Sequence, residues 1–159
     1  MSVRVGFGFD VHQLAAERPL VLGGVIVPFS KGLAGHSDAD VLIHAICDAL
    51  LGAAGLRDIG FHFPDNDQQY KNIDSKVLLK NVMGKLSAMK YKVGNIDATL
   101  CMEQPKINPH IPAMKKTLSE VLDIPADDIS IKATTNEKMG FIGREEGVAA
   151  YAVALIESC

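Results

Sequence analysis

The chain has 159 residues, 48% of them hydrophobic and 22% charged. That is the balance of a globular protein, against a disordered chain or a coiled coil, and at roughly 100–200 residues per domain it predicts one domain over residues 1–159. Sixteen Lys and Arg stand against 19 Asp and Glu, a formal charge of -3, so the overall positive field of a nucleic-acid or anionic-membrane binder is missing, and any polyanionic ligand must be neutralised by a metal, backbone amides or a few local cations.

In chain order, Met1-Ser2-Val3-Arg4-Val5-Gly6 lacks the charged-then-apolar layout of a secretory or transit segment. This favours a cytosol-like compartment. Val3 to His12 reads as a strand. Val3, Val5, Phe7, Phe9 and Val11 share one face at period two, while Arg4, Asp10 and His12 share the other with Gly6 and Gly8, a face with room for a ligand. Leu20-Val21-Leu22 and Val25-Ile26-Val27 flank Gly23-Gly24 as a hairpin, and Lys31 to Gly35 reads as a loop. Ala39 to Ala54 is a helix, apolar nearly all round and therefore buried, with Ser37 or Asp38 as its cap.

Asp58 to Asn72 is a polar loop too long to be a mere connection. A second helix starts at Asp74 or Ser75 and runs to about Lys90, carrying Val77, Leu78, Val82, Leu86 and Met89 at helical spacing. Ile96 to Met102 is a strand, and Pro109 to Leu122 a helix with proline at its N-terminus. Ile129 to Thr135 is a strand, Gly140 to Arg144 a glycine-bearing loop, and Gly147 to Ile156 a strand whose Val148 to Ile156 stretch is apolar enough to be central and buried. This order predicts an α/β (α+β) sandwich, a mixed sheet with helices on one face and a partner sheet or subunit on the other. With no Trp and 6% aromatics the core must be aliphatic. Cys47, Cys101 and Cys159, widely spaced and without a CxxC, predict reduced thiols rather than a disulfide framework or a cysteine zinc site. No membrane span is predicted, since no run approaches roughly 18 apolar residues.

Asp10 and His12, at i and i+2, converge from one face of a strand. Asp40, His44 and Asp48, at i, i+4 and i+8, stack along one face of an otherwise apolar helix, where uncompensated burial would cost several kcal/mol. Asp10, His12 and His44 together offer oxygen and nitrogen donors in the three-ligand set that leaves zinc an open position. On these residues alone a metal centre and a hydrogen-bonded core histidine both stay open. Gly6-x-Gly8 lacks the later glycine and helix of a dinucleotide fingerprint and reads better as glycines thinning a strand where another group approaches. Lys132 to Lys138 offers hydroxyls and amides suited to phosphate oxygens, and equally describes an ordinary polar loop.

Taken in order, Phe9-Asp10-Val11-His12, His36-Ser37-Asp38-Ala39-Asp40-Val41, His44-Ala45, Asp48-Ala49-Leu50-Leu51-Gly52, Asp58-Ile59-Gly60, Phe63-Pro64-Asp65, Pro105-Lys106, Pro109-His110-Ile111-Pro112, Lys132-Ala133-Thr134-Thr135, Glu137-Lys138, Gly140-Phe141 and Gly143-Arg144-Glu145-Glu146-Gly147 resemble the 2-C-methyl-D-erythritol 2,4-cyclodiphosphate synthase family over essentially the whole chain. The resemblance implies a homotrimer with its sheets packed around the three-fold axis and its active sites between subunits. It implies conversion of 4-diphosphocytidyl-2-C-methyl-D-erythritol 2-phosphate to the cyclic 2,4-diphosphate with release of CMP, in the non-mevalonate isoprenoid pathway, located in the bacterial cytoplasm or, for a processed chain, in a plastid.

Carried over by motif, Asp10, His12 and His44 hold Zn²⁺, and Mg²⁺ or Mn²⁺ bridges the substrate diphosphate. Asp10, His12, His36 and Ser37 touch the substrate, and His36 and Thr135 stabilise the transition state. Asp58-Ile59-Gly60 and Phe63-Pro64-Asp65-Asn66-Asp67 hold the methylerythritol phosphate. Cys101-Met102-Glu103-Gln104-Pro105-Lys106 and Thr134-Thr135-Asn136-Glu137 hold the cytidine and diphosphate, and Phe141 and Arg144 match a loop near an axial channel for isoprenoid diphosphates. Two residues depart from the family pattern, Asn136 where many members have Thr and Arg57 where a small residue is common. The rival readings are a phosphohydrolase using the same ligands and a trimeric module with a purely structural metal.

Overall fold

A computed structural model describes residues 1–159. Its centre is a five-stranded mixed sheet in the order β4-β1-β7-β5-β6, built from β1 (Val3–Ala16), β4 (Lys31–Leu33), β5 (Tyr91–Cys101), β6 (Ile129–Thr134) and β7 (Gly147–Ser158). β1 and β5 both run antiparallel to β7, and β5 pairs with β6 in parallel. The hairpin is present as β2 (Leu20–Leu22) and β3 (Val25–Val27). Gly23 and Gly24 take φ of 60° and 75°, the left-handed pair a two-residue hairpin turn requires.

Helices α1 (Val41–Ala53), α3 (Ser75–Ala88) and α4 (Ile111–Leu122) cover one sheet face, with single turns α2 (Ile59–His62) and α5 (Gly140–Gly143) in the loops. No helix is long and apolar enough to cross a membrane. α1 is buried on every side except at Asp48 and Gly52. It lies so close on β1 that a Cβ at Gly6 or Gly8 would overlap the carbonyls of Ala49 or Ala45. The alanines of β7 (Ala150, Ala152 and Ala154) continue this shallow floor, and aliphatic residues fill the rest of the core.

Several expectations are corrected. The glycine face of β1 leaves no room for a ligand, because α1 occupies it, and only its Asp10–His12 end stays open. Lys31–Leu33 is not loop; it pairs with Leu14–Ala16 as an edge strand. α1 is capped by Asp40 rather than Ser37 or Asp38, and Asp40 departs from the helical face it was predicted to share with His44: its carboxylate accepts the Ile43, Gly23 and Gly24 amides at 3.0, 3.0 and 2.7 Å, tying helix to hairpin. The Asp58–Asn72 and Gly140–Arg144 segments each contain a helical turn. Val77 and Met89 are exposed, and β7 is buried on both faces only over Gly147–Ala150, with Tyr151 and Val153 outward beyond it.

That outward face is the one the sequence assigned to a partner sheet or subunit, and it is apolar and exposed. Val3, Val5, Phe7, Phe9 and Val11 of β1 lie beside Tyr151 and Val153 of β7, with Phe7 63% and Val5 64% exposed.

Candidate metal centre

β1 projects Asp10 and His12 past the end of the packed glycines, and α1, fixed at its start by Asp40, presents His44 to them. Asp10 Oδ2 lies 2.9 Å from His12 Nε2 and 3.1 Å from His44 Nδ1, and the two nitrogens are 3.3 Å apart. An ion bonded at about 2.0–2.1 Å in a tetrahedral site separates its donors by roughly 3.3 Å, so the triangle fits one small cation. The opposite ring nitrogens are held by oxygens, as metal-bound imidazoles require. His12 Nδ1 donates to the Ala34 carbonyl at 2.9 Å, which leaves Nε2 as the lone-pair donor. His44 Nε2 faces Ser75 Oγ at 2.9 Å and Ser37 Oγ at 3.2 Å.

Burial alone would raise the Asp10 carboxyl, but the hydrogen bonds and charge of His12 and His44 outweigh it and hold the pKa at about 2. Burial likewise disfavours a charged His12, yet its contacts with Asp10 and Ala34 raise it above its ordinary value. The ionised Asp10 carboxylate therefore favours a cation beside it, a role that a metal ion between the three donors would fill.

The triad forms one wall of a cavity of about 480 Å³. The loop before α1 contributes His36 and Ser37, and the α2 region contributes Asp58, Ile59, Gly60, Phe63 and Asp65. Pro64 and Asn66 are exposed on the same loop, and the Asp67 carbonyl accepts from His36 Nε2 at 3.1 Å. Asp48 does lie on His44's side of α1, where it accepts the Ile59 amide at 2.7 Å and so anchors this loop to the helix. Arg57 has φ of 71° and stacks its guanidinium 4.3 Å over Phe61. Sequence reasoning missed the Ala34 carbonyl, Asp48's role as anchor, and Ser75, which it read only as a helix start. Gly35, Tyr70, Ile73 and Leu78 also line the cavity unannounced.

The remaining predicted residues gather elsewhere. Met102, Pro105, Lys106, Thr134 and Thr135 line a second, smaller groove with Ile107, Asn108 and Ala133. Glu103 braces it by accepting the Asn136 amide at 2.7 Å, while the Asn136 side chain donates to the Met139 carbonyl at 2.8 Å. Cys101 is half-buried at the strand end, and Gln104 and Glu137 are exposed. The register runs Asp10, Ala150, Leu100, Ala133 straight across the sheet. Three strand spacings therefore put the two clusters about 14 Å apart at one end of the sheet. Phe141 borders a third depression with Val11, Gln13 and Glu146, and Arg144 is exposed, paired with Glu146 at 2.9 Å. All three cysteines are free.

A helix-backed mixed sheet with a three-donor cluster beside a cavity defines an α/β sandwich protein whose Asp10, His12 and His44 fit one metal ion. The chain belongs to the YgbB family, whose model matches residues 3–157. It is 65% identical over 156 residues to the 2-C-methyl-D-erythritol 2,4-cyclodiphosphate synthase of Bacteroides fragilis, covering 98% of each chain. Its fold matches a 2C-methyl-D-erythritol-2,4-cyclodiphosphate synthase in its CDP-bound form with a TM-score of 0.90 and 37% identity, covering 97% of this chain and 100% of that one. It also matches the bifunctional IspDF from Campylobacter jejuni with a TM-score of 0.96 and 42% identity over 99% of this chain, which spans 43% of that longer protein.

Proposed function

We infer that the chain, acting as one domain over residues 1–159, converts 4-diphosphocytidyl-2-C-methyl-D-erythritol 2-phosphate to 2-C-methyl-D-erythritol 2,4-cyclodiphosphate and CMP, in the non-mevalonate route and in the bacterial cytoplasm. The convergence of Asp10, His12 and His44 on one wall of a cavity carries this reading, in a chain so similar along its length to a synthase of that name.

A 2-phosphate oxygen forms a bond to the β-phosphorus, the bond from that phosphorus to the bridging oxygen breaks, and CMP departs with the electron pair. When bound, Zn²⁺ on Asp10, His12 and His44 supplies Lewis-acid charge for a phosphate, and Mg²⁺ or Mn²⁺ on the diphosphate adds further neutralisation. Nucleophile and electrophile share one molecule, so the protein's task is to fold it in line, worth several kcal/mol of effective molarity. In this reading Asp58–Gly60 and Phe63–Asp67 grip the methylerythritol phosphate, and His36 and Ser37 donate to phosphate oxygens. Cys101–Lys106 and Thr134–Glu137 hold the cytidine diphosphate, with Thr135 beside the reacting phosphates. No protein nucleophile is required.

We further propose a homotrimer in which the metal-side cluster of one subunit meets the Thr135-side cluster of the next. The exposed apolar row on the open sheet face supports this, as does the placement of the two clusters on opposite flanks of one sheet end. An isoprenoid diphosphate near Phe141 and Arg144 is the accompanying proposal for the axis, and calorimetry with geranyl diphosphate should give saturable heat; a flat titration refutes it.

Incubating the protein with the cytidyl substrate, with and without a chelator, and reading products by phosphorus NMR tests the whole reading. A cyclic diphosphate with stoichiometric CMP, abolished by chelation, is expected. Inorganic phosphate or a linear product would establish the phosphohydrolase reading instead.

A further inference from the structure

Behind His44 lies a chain of hydrogen bonds through Ser75 and Asp38, neither of which is a metal donor or lines the cavity. Ser75, fully buried as the first residue of α3, has its hydroxyl within hydrogen-bond distance of both His44 Nε2, at 2.9 Å, and Asp38 Oδ1. Asp38 receives two further donors, the Ser75 amide on Oδ2 at 3.0 Å and the Asp40 amide on Oδ1 at 3.1 Å.

Counting protons along this chain leaves one arrangement. A carboxylate collecting backbone amides is an acceptor, so the Ser75 hydroxyl must donate to Asp38. Its single proton is then spent, and toward His44 it offers only a lone pair. In the neutral imidazole Nε2 must therefore carry the proton, and Nδ1 is left with its lone pair aimed at Asp10 and His12. Ser37 Oγ, the other oxygen near Nε2, accepts the Ala39 amide at 3.1 Å, and its hydroxyl proton is not claimed by this chain.

We propose that Asp38 and Ser75 are positioning residues that lock His44 in the Nε2-protonated tautomer and so keep Nδ1 as a metal donor, while sparing the Ser37 hydroxyl for the ligand. A carboxylate behind a metal-bound imidazole orients the ring and raises its basicity, and loss of such a partner typically weakens metal binding about 10–100-fold. Here the carboxylate acts through an intervening hydroxyl, and the device also joins the start of α3 to α1. The proposal rests on the metal reading of Asp10, His12 and His44.

The test uses the zinc-loaded full chain. In the wild type, long-range proton–nitrogen NMR of labelled histidine should place the His44 proton on Nε2 and the metal on Nδ1; coordination through Nε2 overturns the proposal with no variant needed. Zinc affinity by chelator competition is then compared for wild type, Ser75→Ala and Ser75→Cys. Ser75→Ala should bind zinc about tenfold or more weakly, with Ser75→Cys between it and wild type. Ser75→Ala should also lower the metal-free melting temperature, because its hydroxyl ties α3 to α1, so the readout a purely structural role would not move is the nitrogen through which His44 binds zinc. Equal zinc affinity in wild type and Ser75→Ala would overturn the relay while leaving the metal centre intact. Failure of the wild type itself to bind zinc would instead overturn the metal reading, and the relay with it.

Discussion

His12 and His44 turn opposite ring nitrogens toward the same point, Nε2 from a strand and Nδ1 from a helix, so the centre depends on both side chains being held from behind. His44→Ala should lose bound zinc and reduce CMP release by at least about a thousandfold, as expected when a metal that supplies most charge stabilisation is lost. Metal analysis and a CMP assay check this, and full turnover in a zinc-free variant would remove the metal from the reaction. Asp10 gives a pH prediction for the metal-free protein. Its folded pKa of about 2 lies below the ordinary 3.8, so between those values the unfolded chain binds more protons than the folded one. The stabilisation is complete above about pH 4 and is lost as the pH falls through 2, on the order of 2 kcal/mol. Urea unfolding of metal-free wild type and Asp10→Asn should show their difference shrinking by that amount from about pH 5 to pH 2; a constant difference refutes the coupling. The triad is legible in the sequence because period two on a strand and polar breaks in an apolar helix are strong signals. Ser75 is not, since a serine opening a helix already has a sufficient local reason to be there.

At the scale of elements, the seam between β1 and α1 is the tightest contact bearing on the site. Gly8→Ala should force the strand off the Ala45 carbonyl and cost on the order of 1–3 kcal/mol, read as a lower urea midpoint, with weaker zinc binding because Asp10 and His12 move with the strand. An unchanged midpoint would mean the helix has slack that its packing does not suggest. The helices, the hairpin and the long strands follow from periodicity and turn residues. The glycine face could not be assigned that way, because an absent side chain looks the same whether a ligand or a helix lies above it. β4 escaped for a related reason: three residues containing a glycine carry no period, and Gly32 is buried there against the Arg18–Pro19 backbone.

For the whole molecule, the need for a second layer was readable in the sequence, but which residues it would cover was not, because β7 looks uniformly apolar until its neighbours divide its faces. Phe7→Asp should place a charge in the proposed interface and shift the protein from trimer to monomer by analytical ultracentrifugation, with loss of CMP release; an intact trimer would locate the interface elsewhere. Mixing His44→Ala with Thr135→Ala subunits after co-refolding should restore activity to about a quarter of the sites, since each shared site needs one intact donor from each of two neighbours in a randomly mixed ring. No recovery would place both residues in the same subunit's site.

The bare aromatic and valine stripe on β1 and β7 has a cost in the cell. In the proposed trimer, a newly synthesised copy carries an adhesive flank until it meets its own kind, and the rarer those copies are, the longer it stays open to the wrong encounters. Slow, sparse production is therefore the condition in which this chain most needs a chaperone's shelter.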